Sequence, residues 1–285
     1  MRKRFNVTGS CNPKRHYMVN SEKRFKAVER LIDDGDYFTI NRARQYGKTT
    51  MLNMIWRELS DKYIILDTSF EGVGDIAFQS ETSFVKLIVA LMKESLPCDN
   101  ESLTSLLDAN MTSTMKDLSD VITNFCKFVQ KPVVLMIDEI DKSSDNQLFL
   151  NFLGMLREHY LRRDKKGMFS TFHSIILAGV HDIKNLKLKL RPEAERKYNS
   201  PWNIAADFNV DMTFHPEEIA QMLGDYENDV HTGMDIGFIS EEIYKYTSGY
   251  PYLVSFICKV IDEQLERVWT SESIVKAIKK LVEGG

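Results

Sequence analysis

The chain has 285 residues, of which 43% are hydrophobic and 27% charged, and its formal net charge is −4 at pH 7. This composition is ordinary for a globular protein, and the length suits one large domain or a core with a smaller second domain. Dedicated nucleic-acid binders are usually basic, so the net charge argues against that class. No apolar run reaches the roughly 18 residues of a membrane span, and no apolar segment follows the basic N-terminus as in a signal peptide.

The cysteines are widely spaced and form no C-x-x-C pair, which is typical of buried or incidental thiols in a reducing compartment. We therefore expect a cytoplasmic protein. The four cysteines are Cys11, Cys98, Cys126 and Cys258.

The first elements lead to a phosphate-binding pattern. Residues 1–20 predict an irregular arm, and residues 21–34 predict a helix because their apolar residues fall at helical spacing. Gly35 follows as its C-cap. Residues 37–40 are aromatic and β-branched, as in a buried strand. This strand runs directly into the motif described next.

Gly47-Lys48-Thr49 stands between that strand and a helical run that reaches about residue 60. Backbone N–H groups at a helix N-terminus hold phosphate well, and a glycine lets the chain approach closely. Lys48 would reach the β- and γ-phosphates of a nucleotide, and the Thr49 hydroxyl would bind Mg²⁺.

One position departs from the motif. The consensus G-x-x-x-x-G-K-[ST] places its first glycine at position 42, where this chain has Arg42. Either the loop enters by a different backbone path or the site is degenerate.

A second motif strengthens the first. Residues 63–67 predict a strand, and residues 82–96 and 115–130 predict helices. The apolar run at 133–137 then reads as a parallel strand buried on both faces, and it ends in Asp138-Glu139. Ligands of open α/β sheets lie beyond the carboxyl ends of the strands.

The two carboxylates have distinct predicted roles. Asp138 would hold Mg²⁺, directly or through water, and Glu139 would act as general base on the attacking water. We expect Lys48 and the acidic pair to converge on one magnesium–triphosphate site.

The alternation of strands and helices predicts a three-layer αβα fold with a parallel sheet, since residues 146–162 read as a helix and residues 174–179 as a strand. Residues 184–197 are rich in lysine and arginine, which is typical of a solvated loop or of a cationic segment near phosphate. Four helices are expected at 215–225, 239–247, 252–267 and 271–283. We predict an ATPase core at 1–205, including the arm, and a small all-α lid at 206–285.

Four segments carry a resemblance that covers almost the whole chain. They are residues 41–50, 135–139, 200–204 and 249–251. With them the chain resembles AAA+/STAND-type P-loop ATPases, of the bacterial AAA-like and archaeal-type clade. In related ATPases the phosphate loop often reads Arg-Gln-x-Gly-Lys-Thr without the first glycine, so the resemblance makes Arg42 unremarkable.

The resemblance implies further site residues. Tyr250 and Pro251 would border the adenine or ribose. A sensor at the end of the 174–179 strand would be His181 or Asp182. The loop residues that would bind the nucleotide are Arg44, Gln45, Tyr46, Gly47, Lys48, Thr49 and Thr50. An arginine finger would come from Arg162, Arg163, Arg191 or Arg196, which the sequence does not rank.

The leading function is therefore ATP binding and Mg²⁺-dependent hydrolysis used as a conformational switch. Two alternatives stay open: a nucleotide-binding signalling scaffold with little turnover, and the ATPase module of a nucleic-acid-handling or defence system. The partners implied are ATP or ADP, further copies of the chain, and a C-terminal or separate effector such as a nuclease. The nucleic-acid alternative depends on the basic stretch at 184–197.

Overall fold

The computed structural model describes residues 2–97, 101–108, 112–143, 146–163, 169–180 and 202–283. Its contacts divide the chain into two compact units. The sheet unit consists of residues 27–43 and 54–209. The helical unit consists of residues 1–26, 44–53 and 210–285.

Strands and helices alternate as the sequence predicts. The strands are β1 (Tyr37–Asn41), β2 (Ile64–Ser69), β3 (Val133–Asp138) and β4 (Ser174–Gly179). The helices before β4 are α1 (Glu22–Asp33), α2 (Lys48–Leu59), α3 (Glu81–Glu94), α4 (Glu101–Thr104), α5 (Met115–Phe128) and α6 (Gln147–Arg163). The helices after it are α7 (Pro216–Val230), α8 (Ile236–Thr247), α9 (Pro251–Gln264) and α10 (Ser271–Glu283).

The sheet unit is built on a parallel sheet with the strand order β1-β4-β3-β2. The last strand in the chain lies between β1 and β3: Ile175 of β4 is opposite both Tyr37 and Leu135. Every residue of β3 and of β4 is buried. Both strands are thus covered on both faces, as expected of a parallel sheet connected by helices.

Beyond β1, Phe38 forms an isolated parallel bridge with Ala206, and the Ala206 N–H donates to the Tyr37 carbonyl at 2.7 Å. Trp202, which is fully buried, donates its indole N–H to the Thr39 hydroxyl at 3.0 Å. The segment that follows residue 201 therefore covers the outer side of β1.

The helical unit combines α7–α10 with the N-terminal arm. Phe5 and Tyr17 of the arm are buried, and their rings contact that of Tyr226 at centroid distances of 5.1 and 5.3 Å. The Trp269 ring also belongs to this aromatic cluster, and its centroid lies 5.2 Å from that of Tyr226. The predicted division places the arm with the core, in residues 1–205. The structure groups it with the C-terminal helices, because its aromatic side chains are buried there.

The predicted fold class is confirmed: an α/β core with a parallel sheet is followed by a helical region. Within the described ranges, no helix has both the length and the apolar character needed to cross a bilayer.

Candidate functional site

The phosphate loop, residues 42–49, leaves the sheet from the end of β1. The Arg42 N–H donates to the Gly179 carbonyl at 3.2 Å, one step beyond the last paired residue of β1. The chain then turns through Gln45 and Gly47, which have φ angles of +63° and +78°. Helix α2 begins at Lys48, and its first turn closes with a 2.9 Å bond from Met51 N–H to the Gly47 carbonyl.

Arg42 does not need to be a glycine in this loop. The residues of the loop with positive φ are Gln45 and Gly47, and Arg42 is not among them. Its guanidinium donates to the Asn41 carbonyl at 3.0 Å and lies 5.4 Å from the Phe208 ring centre. The loop thus follows a backbone path that an L-residue can adopt at position 42, which accounts for the departure from the consensus.

Gly47 is needed for its conformation. A Cβ built at this position would meet no heavy atom within 4 Å, but its φ of +78° is one that side chains rarely permit. The N–H groups of the first helical turn after it point towards the N-terminus of α2. Together with the helix dipole they favour an anion there. Lys48 is buried and Thr49 exposed at this helix end.

Thr50, in the first turn of α2, contacts the arm through its hydroxyl. The Thr50 Oγ1 atom accepts a hydrogen bond from the Cys11 N–H at 3.1 Å. The next arm residue, Asn12, donates its N–H to His16 Nδ1 at 3.0 Å. The arm therefore contacts the first turn of α2, and the predicted role of Thr50 in nucleotide binding stays a prediction.

The Gly-Tyr-Pro turn, residues 249–251, joins α8 to α9. Gly249 has φ +73°, and a Cβ there would lie 2.2 Å from the Phe214 carbonyl oxygen, so only glycine fits. Pro251 occupies the first turn of α9, where its missing N–H costs no hydrogen bond. The family resemblance implies that Tyr250 and Pro251 border the adenine or ribose, and this role also stays a prediction.

Tyr250 connects this turn to the phosphate loop. Its hydroxyl donates to the Arg44 carbonyl at 2.7 Å, and its ring centre lies 4.7 Å from that of Tyr46. Desolvation raises the pKa of Tyr250. The structure thus brings Tyr250 together with two other predicted nucleotide-site residues, Arg44 and Tyr46.

Asp138 and Glu139 end β3 in the sheet unit. Asp138 is 7% exposed, and its Oδ1 atom accepts the Glu139 N–H at 2.9 Å. Glu139 has φ +54°, an unusual conformation for a residue with a side chain. Backbone strain of this kind persists only where the surrounding structure maintains it, and it is concentrated at functional sites. Desolvation and the charge of Asp138 raise the pKa of Asp67 on the neighbouring strand.

Asp141 lies three residues after Asp138 and was not singled out from the sequence. Its two carboxylate oxygens accept the Val180 N–H at 2.9 and 2.7 Å. This bond ties the segment after β3 to the residue after β4. The spacing Asp-Glu-x-Asp was visible in the sequence, but the partner of the second aspartate was not.

The two arginines at the end of α6 have different surroundings. Arg163 donates to the carbonyls of His173 and Gly35, each at 2.7 Å, and lies 4.2 Å from the Tyr160 ring centre. Its guanidinium is therefore committed to the sheet unit, which disfavours Arg163 as an arginine finger. Arg162 is exposed and pairs with Glu158 at 3.3 Å.

Several predicted residues lie outside the described part of the chain. These are the sensor candidates His181 and Asp182, the finger candidates Arg191 and Arg196, and the basic stretch at 184–197.

The remaining predicted residues are divided between the units. Lys48 and Thr49 belong to the helical unit, and Asp138 and Glu139 to the sheet unit. Their convergence on one magnesium–triphosphate stays a prediction. Among the described residues, no group of three or more His, Cys, Asp or Glu side chains could hold a metal ion. The predicted Mg²⁺ site does not need such a group, since it uses one carboxylate, one hydroxyl and the phosphates.

The comparisons with known proteins identify a family. The model of the AAA-like domain matches residues 9–280, which is nearly the whole chain. The comparison with curated proteins gives no match.

Solved structures share the fold at low sequence identity. Cdc6p from Pyrobaculum aerophilum has a TM-score of 0.55 at 13% identity, over 96% of this chain and 70% of that chain. ORC2 from Aeropyrum pernix, solved in an ADP form and in ADPNP–ADP complexes, covers the same shares with a TM-score of 0.53 at 13% identity. ORC1 from Aeropyrum pernix, solved in complex with DNA, has a TM-score of 0.50 at 9% identity, over 93% of this chain and 66% of that chain.

These likenesses concern the fold, and the family follows from the match over residues 9–280. The family match confirms the predicted AAA+ P-loop class, while the STAND subtype stays a prediction. The chain belongs to the AAA-like domain family of AAA+ P-loop ATPases.

Proposed function

We propose that this protein binds ATP with Mg²⁺ and hydrolyses it, and that loss of the γ-phosphate acts as a conformational switch. One observation carries the proposal. The phosphate loop leaves β1, and Asp138-Glu139 ends β3, at the same edge of a parallel sheet, because the carboxyl ends of parallel strands share one edge. Ligands bind at that edge in open α/β sheets.

The residues fit a magnesium nucleotide by their chemistry. The N-terminus of α2 and the Lys48 ammonium suit the phosphates, and Gly47 leaves open space beside the backbone. The Thr49 hydroxyl and the Asp138 carboxylate are hard oxygen ligands of the kind that Mg²⁺ prefers. When bound, the ion would neutralise charge on the β- and γ-phosphates.

Each residue has a role in the proposed reaction. Lys48 binds the β- and γ-phosphates and stabilises their charge. Thr49 and Asp138 would hold the metal. Glu139 accepts a proton from the attacking water.

Phosphate release by the purified protein tests the proposal. We expect Lys48→Ala and Glu139→Gln each to lower turnover about 100-fold or more, the range typical of a lost acid–base or electrostatic contact. Glu139→Gln should still bind ATP, because the substitution removes the base and keeps the shape.

Matched controls come from the exposed end of α3. Lys93→Ala and Glu94→Gln make the same chemical changes at exposed positions and should keep wild-type turnover. Equal phosphate release by wild type, Lys48→Ala and Glu139→Gln would refute hydrolysis at this site. Tight ATP binding by wild type without turnover would favour the signalling scaffold instead.

The other alternative concerns nucleic acid. It depends on the basic stretch at 184–197, outside the described residues, and the DNA in the ORC1 structure belongs to that protein. ATP turnover is therefore the primary proposal.

A further inference from the structure

A strained residue lies at the bend of the phosphate loop. Gln45 has φ +63°, in the left-handed region that glycine adopts easily and other residues adopt at a cost in free energy. It is exposed, so burial of its own side chain does not hold it there. Contacts to its neighbours must therefore maintain this conformation.

Tyr250 contacts the residues on both sides of Gln45. Its hydroxyl donates to the carbonyl of Arg44, the residue before the bend, at 2.7 Å. Its ring lies against that of Tyr46, the residue after the bend, with 4.7 Å between centroids and 33° between planes. One side chain thus restrains the peptide before Gln45 and the side chain after it.

Tyr250 is itself held in place by its own turn. Its N–H donates to the Thr247 carbonyl at 3.0 Å, and its carbonyl accepts from Val254 N–H at 3.0 Å in the first turn of α9. Gly249 before it is fixed by the close approach of Phe214. The contacts to the loop therefore come from an ordered support, which is what positioning of a binding loop requires.

We infer that Tyr250 is a positioning residue for the phosphate loop: it holds Gln45 in the left-handed conformation and so sets the affinity of the loop for a nucleoside triphosphate. Successive N–H groups in a bent loop form an anion-binding concavity only when their φ angles are maintained. The inference rests on the proposed function, and it assigns Tyr250 a role besides bordering the base.

The main test is a double-mutant cycle between Tyr250 and Gln45. Tyr250→Phe removes the hydroxyl and keeps the ring, and Gln45→Gly removes the cost of the left-handed conformation. The measured quantity is the Kd for ADPNP with Mg²⁺. Loss of one hydrogen bond should raise this Kd about three- to tenfold in the wild-type background. In the Gln45→Gly background the same change should have less than about a twofold effect, because glycine adopts the left-handed conformation without a steric cost.

Tyr252→Phe is the matched control. Tyr252 lies in the first turn of α9, directly after Tyr250 and Pro251, and its ring centre lies 5.9 Å from that of Phe256 and 6.2 Å from that of Tyr250. Tyr252→Phe keeps that ring, so it removes only a hydroxyl that is not bonded to the Arg44 carbonyl. We expect its Kd to equal that of wild type. A Tyr250→Phe effect of equal size in both backgrounds would show a general packing role and overturn the inference. An unchanged Kd in Tyr250→Phe would overturn it as well.

A second measurement works without nucleotide. Trypsin cleaves after arginine, and Arg44, whose carbonyl accepts the Tyr250 hydroxyl, is exposed. Cleavage needs local opening of the chain, so Tyr250→Phe should be cut after Arg44 several-fold faster than wild type or Tyr252→Phe. Equal cleavage rates would show that Tyr250 does not hold the loop.

The two measurements separate the inference from the proposed function. If wild type binds no ADPNP, the proposed function fails, and the cleavage rates still decide whether Tyr250 restrains the loop. If wild type binds ADPNP and the Tyr250 variants behave as wild type, the function stands and the inference fails.

Discussion

The two units of the molecule are stabilised in different ways. In the sheet unit, strands β1–β4 pair through ladders of backbone hydrogen bonds, and every residue of β3 and β4 is buried. In the helical unit, hydrogen bonds and ion pairs between side chains join segments that are far apart in the chain. Asp262 accepts from Arg2, Tyr226 and Arg267, and Tyr17 donates to Asp229 at 2.9 Å.

This difference shows which changes each unit should tolerate. Backbone ladders and apolar contacts are spread over many residues, so a single surface change in the sheet unit should matter little. The helical unit has an apolar core as well, but single close approaches and buried charges add to it, and each of these should be sensitive to substitution.

The strongest test of this comparison is Gly249→Ala. The added Cβ would lie 2.2 Å from the Phe214 carbonyl oxygen at a φ of +73°, so the backbone of the turn must move. We expect a loss on the order of 4 kcal/mol in the free energy of unfolding, measured by chemical denaturation.

Gly233→Ala is the control for Gly249→Ala. Gly233 has φ +78° in the same unit, but a Cβ there would meet nothing within 4 Å. Its expected cost is about 1 kcal/mol, from backbone conformation alone. Equal losses in the two variants would show that the approach of Phe214 is not a structural requirement.

The sheet unit has its own sensitive point in His159. The side chain is buried and bonded to the hydroxyls of Ser119 at 2.7 Å and Thr171 at 3.2 Å. Desolvation lowers the pKa of His159 to about 4. In the unfolded chain the pKa of His159 is near its ordinary value of 6.5. Between about pH 4 and pH 6.5 the unfolded state therefore binds more protons than the folded state.

Stability should therefore fall as the pH falls from 6.5 to about 4, by roughly 3 kcal/mol in total for this residue. His159→Gln does not titrate in this range. We expect its unfolding free energy to depend less steeply on pH than that of wild type, as measured by denaturation at several pH values. Parallel pH profiles would mean that His159 is protonated equally in both states.

The smallest expected effect concerns how the arm is anchored. Asp262 has a 5% exposed side chain and accepts from Arg2 at 2.6 and 2.5 Å. Asp262→Asn keeps the size and removes the charge, which should cost about 2 kcal/mol, because Arg2 and Arg267 lose their partly buried counter-ion.

Asp225→Asn is the comparison for Asp262→Asn. Its side chain is 58% exposed and lies 3.9 Å from Lys3, so its expected cost is below about 0.5 kcal/mol. If both variants unfold at the same denaturant concentration, the arm is held by its aromatic residues and not by charge.

Much of the fold could be predicted because local periodicity reflects burial. The strand at 174–179 and the helix at 271–283 match β4 and α10 at both ends. Element ends were less accurate where a capping residue decides them. Helix α8 begins at Ile236 rather than at residue 239, because the Asp235 side chain accepts the Phe238 N–H at 3.0 Å.

Helix α7 continues to Val230, beyond the predicted end at residue 225. Gly224 lies in its interior, where a glycine weakens a helix without ending it. The helix ends where His231 adopts φ +55°. Buried residues on one face, such as Tyr226, carry the helix past the glycine.

The sequence by itself determined the two motifs, Gly47-Lys48-Thr49 and Asp138-Glu139, and the type of nearly every element around them. Only the tertiary structure decided that β4 lies between β1 and β3, that the arm packs among the C-terminal helices, and that Tyr250 holds the Arg44 carbonyl. The reason is physical. A motif and a hydrophobic period each depend on residues that are close together in the chain. The order of the strands, the packing of the arm and the Tyr250 contact depend on residues that are far apart in the chain.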